Sequence, residues 1–391
     1  MTASPMNVAT ARVASAALLA AAGPASAHAT WFSRDADCAV PSLAPLAAIG
    51  SLEFAAATVI ALIVMVAVAW LDVWMSRPAN RRLAGASIID RPASLLAPHA
   101  VRLGMAAFFC ASALHFKAGP VYLAPELRSG AAWVPLLQLA IAAALVRRST
   151  AWLGALGIAV LYAAATAAYG WFQLFDYPLF LGAAAFVAID SLGQGRRTDN
   201  ALAVLRVSAA ITLMWAGAEK WLYPGCSAGV LDHELSFLRG PMSPSFSMAA
   251  AGWVEICAAY ALMFGHRATQ CAAALLLLVS RVAIPVFGTL DGIGDAPIIV
   301  VLAVLATTRT SLPAPLQRAL DRAAPLRRAV SCAFAGLAVV GLYWSLQAAA
   351  YGIREGGQAL VAVLMTTPLL AWWLPRLRQP ASARVSAAAI A

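Results

Sequence analysis

Apolar stretches of roughly 15–22 residues recur along the whole chain, separated by short polar segments. Each is close to the length that crosses a hydrocarbon core of about 30 Å as a helix rising 1.5 Å per residue. A backbone amide in lipid has no water to bond, so Ala-, Leu- and Val-rich runs of this length must close their hydrogen bonds internally, as helices. A β-barrel would need alternating strands of about ten residues, and no such alternation is present. With 62% hydrophobic and 11% charged residues, no stretch between the runs has the makings of a sizeable soluble domain. The fold class expected is therefore all-α, a polytopic membrane helical bundle.

The first 27 residues have the form of a secretory signal: Arg12, an apolar run over 13–22, Pro24 and the small-residue site Ala25-Ser26-Ala27. An uncleaved first anchor is the alternative. Beyond residues 1–27 the pattern predicts eleven spans, approximately 48–70, 101–118, 131–146, 151–169, 177–192, 201–218, 246–264, 268–287, 295–308, 329–350 and 358–374. The net charge of +10 is spread among the short connections rather than gathered into a patch, so it reads as a topology signal and not as a nucleic-acid surface. Arg81 and Arg82, Arg147 and Arg148, Arg196 and Arg197, and Arg327 and Arg328 all fall on one side of an eleven-span chain; Glu126, Asp176, Asp232 and Asp295 fall on the other. This alternation predicts an inner-membrane protein, embedded in lipid, with the mature N-terminus outside and the C-terminus inside. Residues 28–100 would then hold an outer segment, the first span and an inner loop.

The chain also repeats itself. Residues 102–120 align without gaps with 206–224: an Arg, a span, a charged end and a Pro. Each copy is followed by a Trp-Val start to the next span, at Trp133-Val134 and Trp253-Val254, and closes on Asp-x-Pro, at Asp176-Tyr177-Pro178 and Asp295-Ala296-Pro297. Two tandem four-helix units, 101–192 and 205–308, account for this, and an even number of spans makes the repeat parallel. Two further spans occupy 329–374.

Ionisable residues inside a span are costly and are functional candidates by default. Glu255 and Arg281, on neighbouring spans and both in their outer halves, are expected to form an ion pair, either a lock between helices or a substrate or proton site. Glu53 lies near the outer end of the first span, and Arg206 is expected to snorkel to the inner interface. At the outer end of the sixth span Glu219 and Lys220 correspond, in the repeat, to His115 and Phe116, with Lys117 one position on. With Asp176, Asp295 and His233 these could ring an outward-facing cavity between the units, or be ordinary interfacial charges. Metal binding has little support: the five histidines show no His-x-x-x-His spacing, and there is no Cys-x-x-Cys, nucleotide loop or dinucleotide fingerprint. Cys38 and Cys226 are the two cysteines expected outside the membrane, either bridged or free. Cys110, Cys257, Cys271 and Cys332 fall within spans as small apolar packers.

Leu205-Arg206-Val207, the run Trp215-Ala216-Gly217-Ala218-Glu219-Lys220-Trp221, the helix start Gly252-Trp253-Val254-Glu255-Ile256 and the lead-in Asp291-Gly292-Ile293-Gly294-Asp295-Ala296-Pro297 resemble the DoxX-like family of four-helix membrane proteins. The likeness is clearest in the second unit, about 205–308, and weaker at 101–192. It implies a four-helix bundle and, from the family's namesake, a membrane subunit of a thiosulfate:quinone oxidoreductase, with quinone as cofactor and a redox partner subunit. The duplicated unit and the extra spans depart from the family pattern. Three functions stay open: a quinone-linked redox subunit, a small-solute or ion transporter working between the units, and a scaffold without a ligand.

Overall fold

The computed structural model describes residues 49–76, 93–117, 119–193, 198–224, 241–264, 267–287, 289–308 and 324–351. The signal segment 1–27, the eleventh span 358–374, Cys38, Cys226 and His233 lie outside them. The described residues are helical: α1 (Leu52–Ser76), α2 (Ala93–His115), α3 (Trp133–Val146), α4 (Ala151–Tyr169), α5 (Pro178–Leu192), α6 (Thr198–Leu222), α7 (Pro244–Phe264), α8 (Arg267–Phe287), the short α9 (Thr289–Gly294), α10 (Ala296–Thr307) and α11 (Pro325–Tyr351). A 3-10 turn, Gln173–Asp176, precedes α5. Each expected span between 48 and 350 coincides with one helix. Of these, α1, α2, α4, α6, α7 and α11 are long and apolar enough to cross a membrane, while α3, α5, α10 and the apolar part of α8 are shorter. Val59, Ile63 and Val64 on α1 and Leu153, Leu156 and Val160 on α4 face outward. Water would not tolerate apolar faces of this extent; lipid does.

Packing follows chain order twice. Helix α2 packs on α3, α3 on α4 and α4 on α5; α6 packs on α7, α7 on α8 and α8 on α10. The seam between the two sets is reciprocal: the last helix of the first, α5, lies on α6, and the last helix of the second, α10, lies on α2. Small residues permit both crossings. A Cβ on Gly182 of α5 would overlap the Ser208 side chain of α6, and a Cβ on Gly104 of α2 would meet Val300 Cγ2 of α10 at 2.5 Å. Gly104 and Ser208 are equivalent in the 102–120/206–224 alignment, so one side of each crossing uses the same repeat position. Helices α1 and α11 pair with each other and lie against α6, α7 and, through α1, α8.

One end of the bundle gathers most of the described arginines. Arg206 is only 1% exposed; its Nε donates to the Leu262 carbonyl near the end of α7, and its Nη2 donates to Thr269 Oγ1 at 2.9 Å. It therefore does not snorkel. A guanidinium at the C-terminal end of a neighbouring helix satisfies carbonyls that the helix leaves open and opposes the negative end of its dipole, which holds it inside. The repeat-equivalent Arg102 does the same for α3, reaching the Val146 carbonyl at 3.4 Å. At this end Asp72 of α1 binds Arg328 of α11 at 3.1 Å, and its other oxygen accepts the Ala268 N–H at the start of α8 at 2.8 Å. One carboxylate thus ties three helices together and caps one of them.

At the opposite end Ser243 precedes Pro244 at the start of α7, and its hydroxyl accepts the Phe246 N–H at 3.2 Å, an N-cap followed by the proline that suits the first helical position. Ser243 Oγ also donates to Glu53 at 2.8 Å, and Ser245 donates to the other oxygen of the same carboxylate. This joins α1 to α7. Further along, α6 and α7 meet at Gly217 and Gly252, where a Cβ on Gly252 would lie 2.7 Å from the Gly217 carbonyl oxygen and 2.2 Å from Trp221 Nε1.

Candidate functional site

The acidic end of the seam between the two sets of helices concentrates the polar groups. Gly170, at φ +90°, ends α4, and its N–H bonds back to the Thr166 carbonyl at 2.9 Å. A residue with a Cβ would be strained at that φ. The chain then turns through Gln173–Asp176, which is held by the Tyr162 hydroxyl donating to the Leu174 carbonyl at 2.5 Å, and Pro178 starts α5. Asp176 is thereby set at the mouth of the seam. Its neighbour Tyr177 is buried and donates to Glu126 Oε1 at 2.5 Å.

Glu126 sits on a loop that is built rather than loose. The Ser129 N–H closes on the Pro120 carbonyl at 2.6 Å, and the buried Gln138 of α3 donates to the Val121 and Tyr122 carbonyls at 2.7 and 3.2 Å. The Tyr169 hydroxyl holds the Arg128 carbonyl at 2.8 Å. Between this loop and the starts of α5 and α10 lies a cleft lined by Pro125, Glu126, Asp176, Tyr177, Thr212, Asp295 and Pro297 among others, about 460 Å³ when its open mouth is counted. Its inner space admits only one or two molecules the size of water. Thr212 of α6 contributes twice: it lines the cleft, and its hydroxyl accepts the Leu179 N–H at 3.1 Å, capping the first turn of α5 from the other set of helices.

Beside the cleft, Glu219 of α6 is 6% exposed; it accepts a hydrogen bond from the Tyr343 hydroxyl of α11 at 3.2 Å and lies close enough to Asp176 for the two carboxyl groups to interact. Two carboxyl groups held near each other away from water favour the state in which one of them keeps its proton. Around this pair stand aromatic rings: Trp215 packs on Tyr343 at 4.6 Å between centroids and stacks on Phe175 at 5.2 Å, and Phe172 sits against Trp215 and Tyr343 at 5.8 and 5.1 Å. Gln347, one turn after Tyr343, donates to the Tyr223 hydroxyl. The arrangement can hold a proton between acids from two chain segments in a poorly solvated wall, with an opening sized for water beside it.

The residues singled out from sequence fall into separate places. Asp295 and Asp176 line the cleft, and Glu219 lies near Asp176. Lys220, next in sequence to Glu219, points to α7 and binds Glu255 at 2.8 Å, with both side chains largely buried. The cation found on Glu255 is therefore Lys220; Arg281 lies on the neighbouring helix α8, and its side chain is outside the described residues. His115, the repeat counterpart of Glu219, is exposed at the end of α2 and packs edge-on against Phe116. Sequence reasoning passed over Glu126, Thr212 and Tyr343. Tyr177 was within reach, since it occupies the middle of the repeated Asp-x-Pro motif; Tyr343 sits on a helix outside the repeat, and nothing in its local sequence marks it.

Residues 201–289, which include nearly all of α6 and the whole of α7 and α8, match the DoxX family, over less than a quarter of the chain. No curated protein and no solved structure matches the chain.

Proposed function

Taking the DoxX-type segment that carries Glu219 as the premise, we propose that this multi-pass membrane protein handles protons at the Asp176–Glu219 pair, as the membrane subunit of a quinone-linked redox system. What supports the reading is the nearness of the Asp176 and Glu219 carboxyl groups, from the two sets of helices, beside a cleft whose inner space fits water but not an organic solute. Groups sharing a proton in a low-dielectric wall exchange it with water through Tyr177, Glu126 and Asp295. The arginine end faces the cytoplasm on this reading, because lysines and arginines are retained there, and the cleft faces outward. The two sets of helices are a tandem parallel duplication, supported by the equivalent roles of Arg102 and Arg206 and by the reciprocal seam. Quinone enters as the mobile electron carrier, and a partner subunit supplies the electron-carrying cofactor.

The experiment is proton flux in proteoliposomes loaded with a pH-sensitive dye, under an imposed potassium diffusion potential. The unchanged protein should acidify or alkalinise the lumen according to the sign of the potential, and Glu219→Gln and Asp176→Asn should each slow the flux at least tenfold while eluting as folded protein. Flux that is absent from the unchanged protein, or undiminished in both variants, would rule the reading out. A small-cation carrier is the second reading, favoured by the position of the cleft on the seam between two like-packed sets. It requires flux that follows an added monovalent cation rather than pH.

A further inference from the structure

Far from the cleft, α7 and α11 bring two cysteines together. Cys257 Sγ and Cys332 Sγ are 3.9 Å apart, close to van der Waals contact for two sulfurs. Cys257 lies seven residues before Phe264 and Cys332 seven residues after Pro325, so both are about 10 Å inside the arginine end of their helices at 1.5 Å per residue. The crossing there is tight and braced. A Cβ on Gly336, one turn after Cys332, would touch Ile256 Cγ2 at 3.2 Å, and the Tyr260 and Ser331 side chains lie beside the pair on the same two helices. The two thiols differ in access. Cys332 is 1% exposed, whereas Cys257 is half-buried, one turn from the outward-facing Val254.

In a chain embedded in lipid, the half-buried thiol meets acyl chains rather than water. Two thiols as apolar packers would have no need to touch, and one accessible sulfur backed by a buried one is the layout required for attack followed by resolution. We propose that Cys257 and Cys332 form an intramembrane dithiol that reduces lipid-soluble hydroperoxides, the class formed when acyl chains are oxidised. Cys257 sulfur attacks the terminal oxygen of the hydroperoxide; the O–O bond breaks, the lipid leaves as its alcohol with the thiol proton, and Cys257 becomes a sulfenic acid. Cys332 sulfur then attacks Cys257 sulfur, the S–O bond breaks, and water leaves with the second thiol proton. The sum is two thiols and one hydroperoxide giving one disulfide, one alcohol and one water. The disulfide joins α7 to α11, and thus the DoxX-type segment to the last of the described helices.

The test uses the full chain in lipid nanodiscs, reduced and then exposed to cumene hydroperoxide or, in parallel, to the same concentration of hydrogen peroxide. Free thiols are trapped with N-ethylmaleimide, and peptides are analysed by mass spectrometry. The expected result is a linked Cys257–Cys332 peptide that forms several-fold faster with cumene hydroperoxide, with one cumyl alcohol released per disulfide. Cys332→Ser should keep alcohol formation and leave a dimedone-reactive sulfenic acid at position 257, and Cys257→Ser should abolish the alcohol. A variant retaining only these two cysteines should behave as the unchanged chain. The proposal is overturned if both thiols of the unchanged protein stay alkylatable, if hydrogen peroxide is the faster oxidant, or if a short-chain quinone forms the disulfide where cumene hydroperoxide does not. None of these readouts involves the acidic cleft, so failure here leaves the proton-handling reading to its own test.

Discussion

The Asp72–Arg328 pair offers the sharpest check on how α1 and α11 are held. It closes at 3.1 Å with side chains 1% and 6% exposed, and Asp72 also caps α8 through the Ala268 N–H. Removing one partner of a buried pair costs about 3–5 kcal/mol, because the other charge is left without its counterion. Arg328→Leu should therefore destabilise by about that amount, and Asp72→Ala by about 1 kcal/mol more, since the cap is lost as well. Asp72→Asn should fall below Asp72→Ala, because the amide oxygen still accepts from Ala268. An unfolding entropy of about 2.1 cal/mol/K per residue gives roughly 0.8 kcal/mol/K for a chain of 391 residues, so a loss of ~4 kcal/mol lowers Tm by about 5 °C. Helices that persist in detergent reduce that entropy and enlarge the shift. The assay is thermal unfolding of purified protein followed by tryptophan fluorescence and by size-exclusion chromatography. The double variant Asp72→Asn with Arg328→Leu should recover part of the loss, as neutralising both groups removes the stranded charge. If the double variant loses the sum of the single losses, the two groups are not coupled and the assignment fails.

Gly252→Ala should separate α6 from α7, because its Cβ would meet the Gly217 carbonyl and the Trp221 indole; an overpacked crossing costs about 1–3 kcal/mol, read in the same melting assay, and an unchanged Tm would contradict the crossing. Thr212→Val should cost about 1 kcal/mol by uncapping Leu179, with Thr212→Ser restoring most of it; equal losses in both variants would mean that the hydroxyl does not cap. Single cysteines in a background free of the native ones should be labelled by an impermeant maleimide in intact cells at Gly130 and not at Gln194; the opposite pattern would invert the topology.

The sequence alone determined which stretches are helical and roughly where they stop. Ten of the expected segments fall on helices, because apolar length in lipid leaves no other way to pair the backbone. The repeated Asp-x-Pro pairs were also legible, and both of their aspartates line the cleft, since a proline in the first turn fixes a helix start and leaves the residue two positions before it at the mouth. Only the tertiary structure decided which side chains face one another. Glu255 was matched from depth to Arg281, whose side chain lies outside the described residues, and the structure adds a cation that depth did not suggest, Lys220 of α6. Tyr343 reaches Glu219, Arg328 reaches Asp72 and Cys332 reaches Cys257 from α11, a helix whose sequence carries no mark of its partners. The physical reason is the solvent. In water a helix advertises its buried face by an apolar stripe; in lipid every face is apolar, so depth is written in the sequence, but rotation about the helix axis and the choice of neighbour emerge only when small residues such as Gly104, Gly182 and Gly252 let particular helices approach.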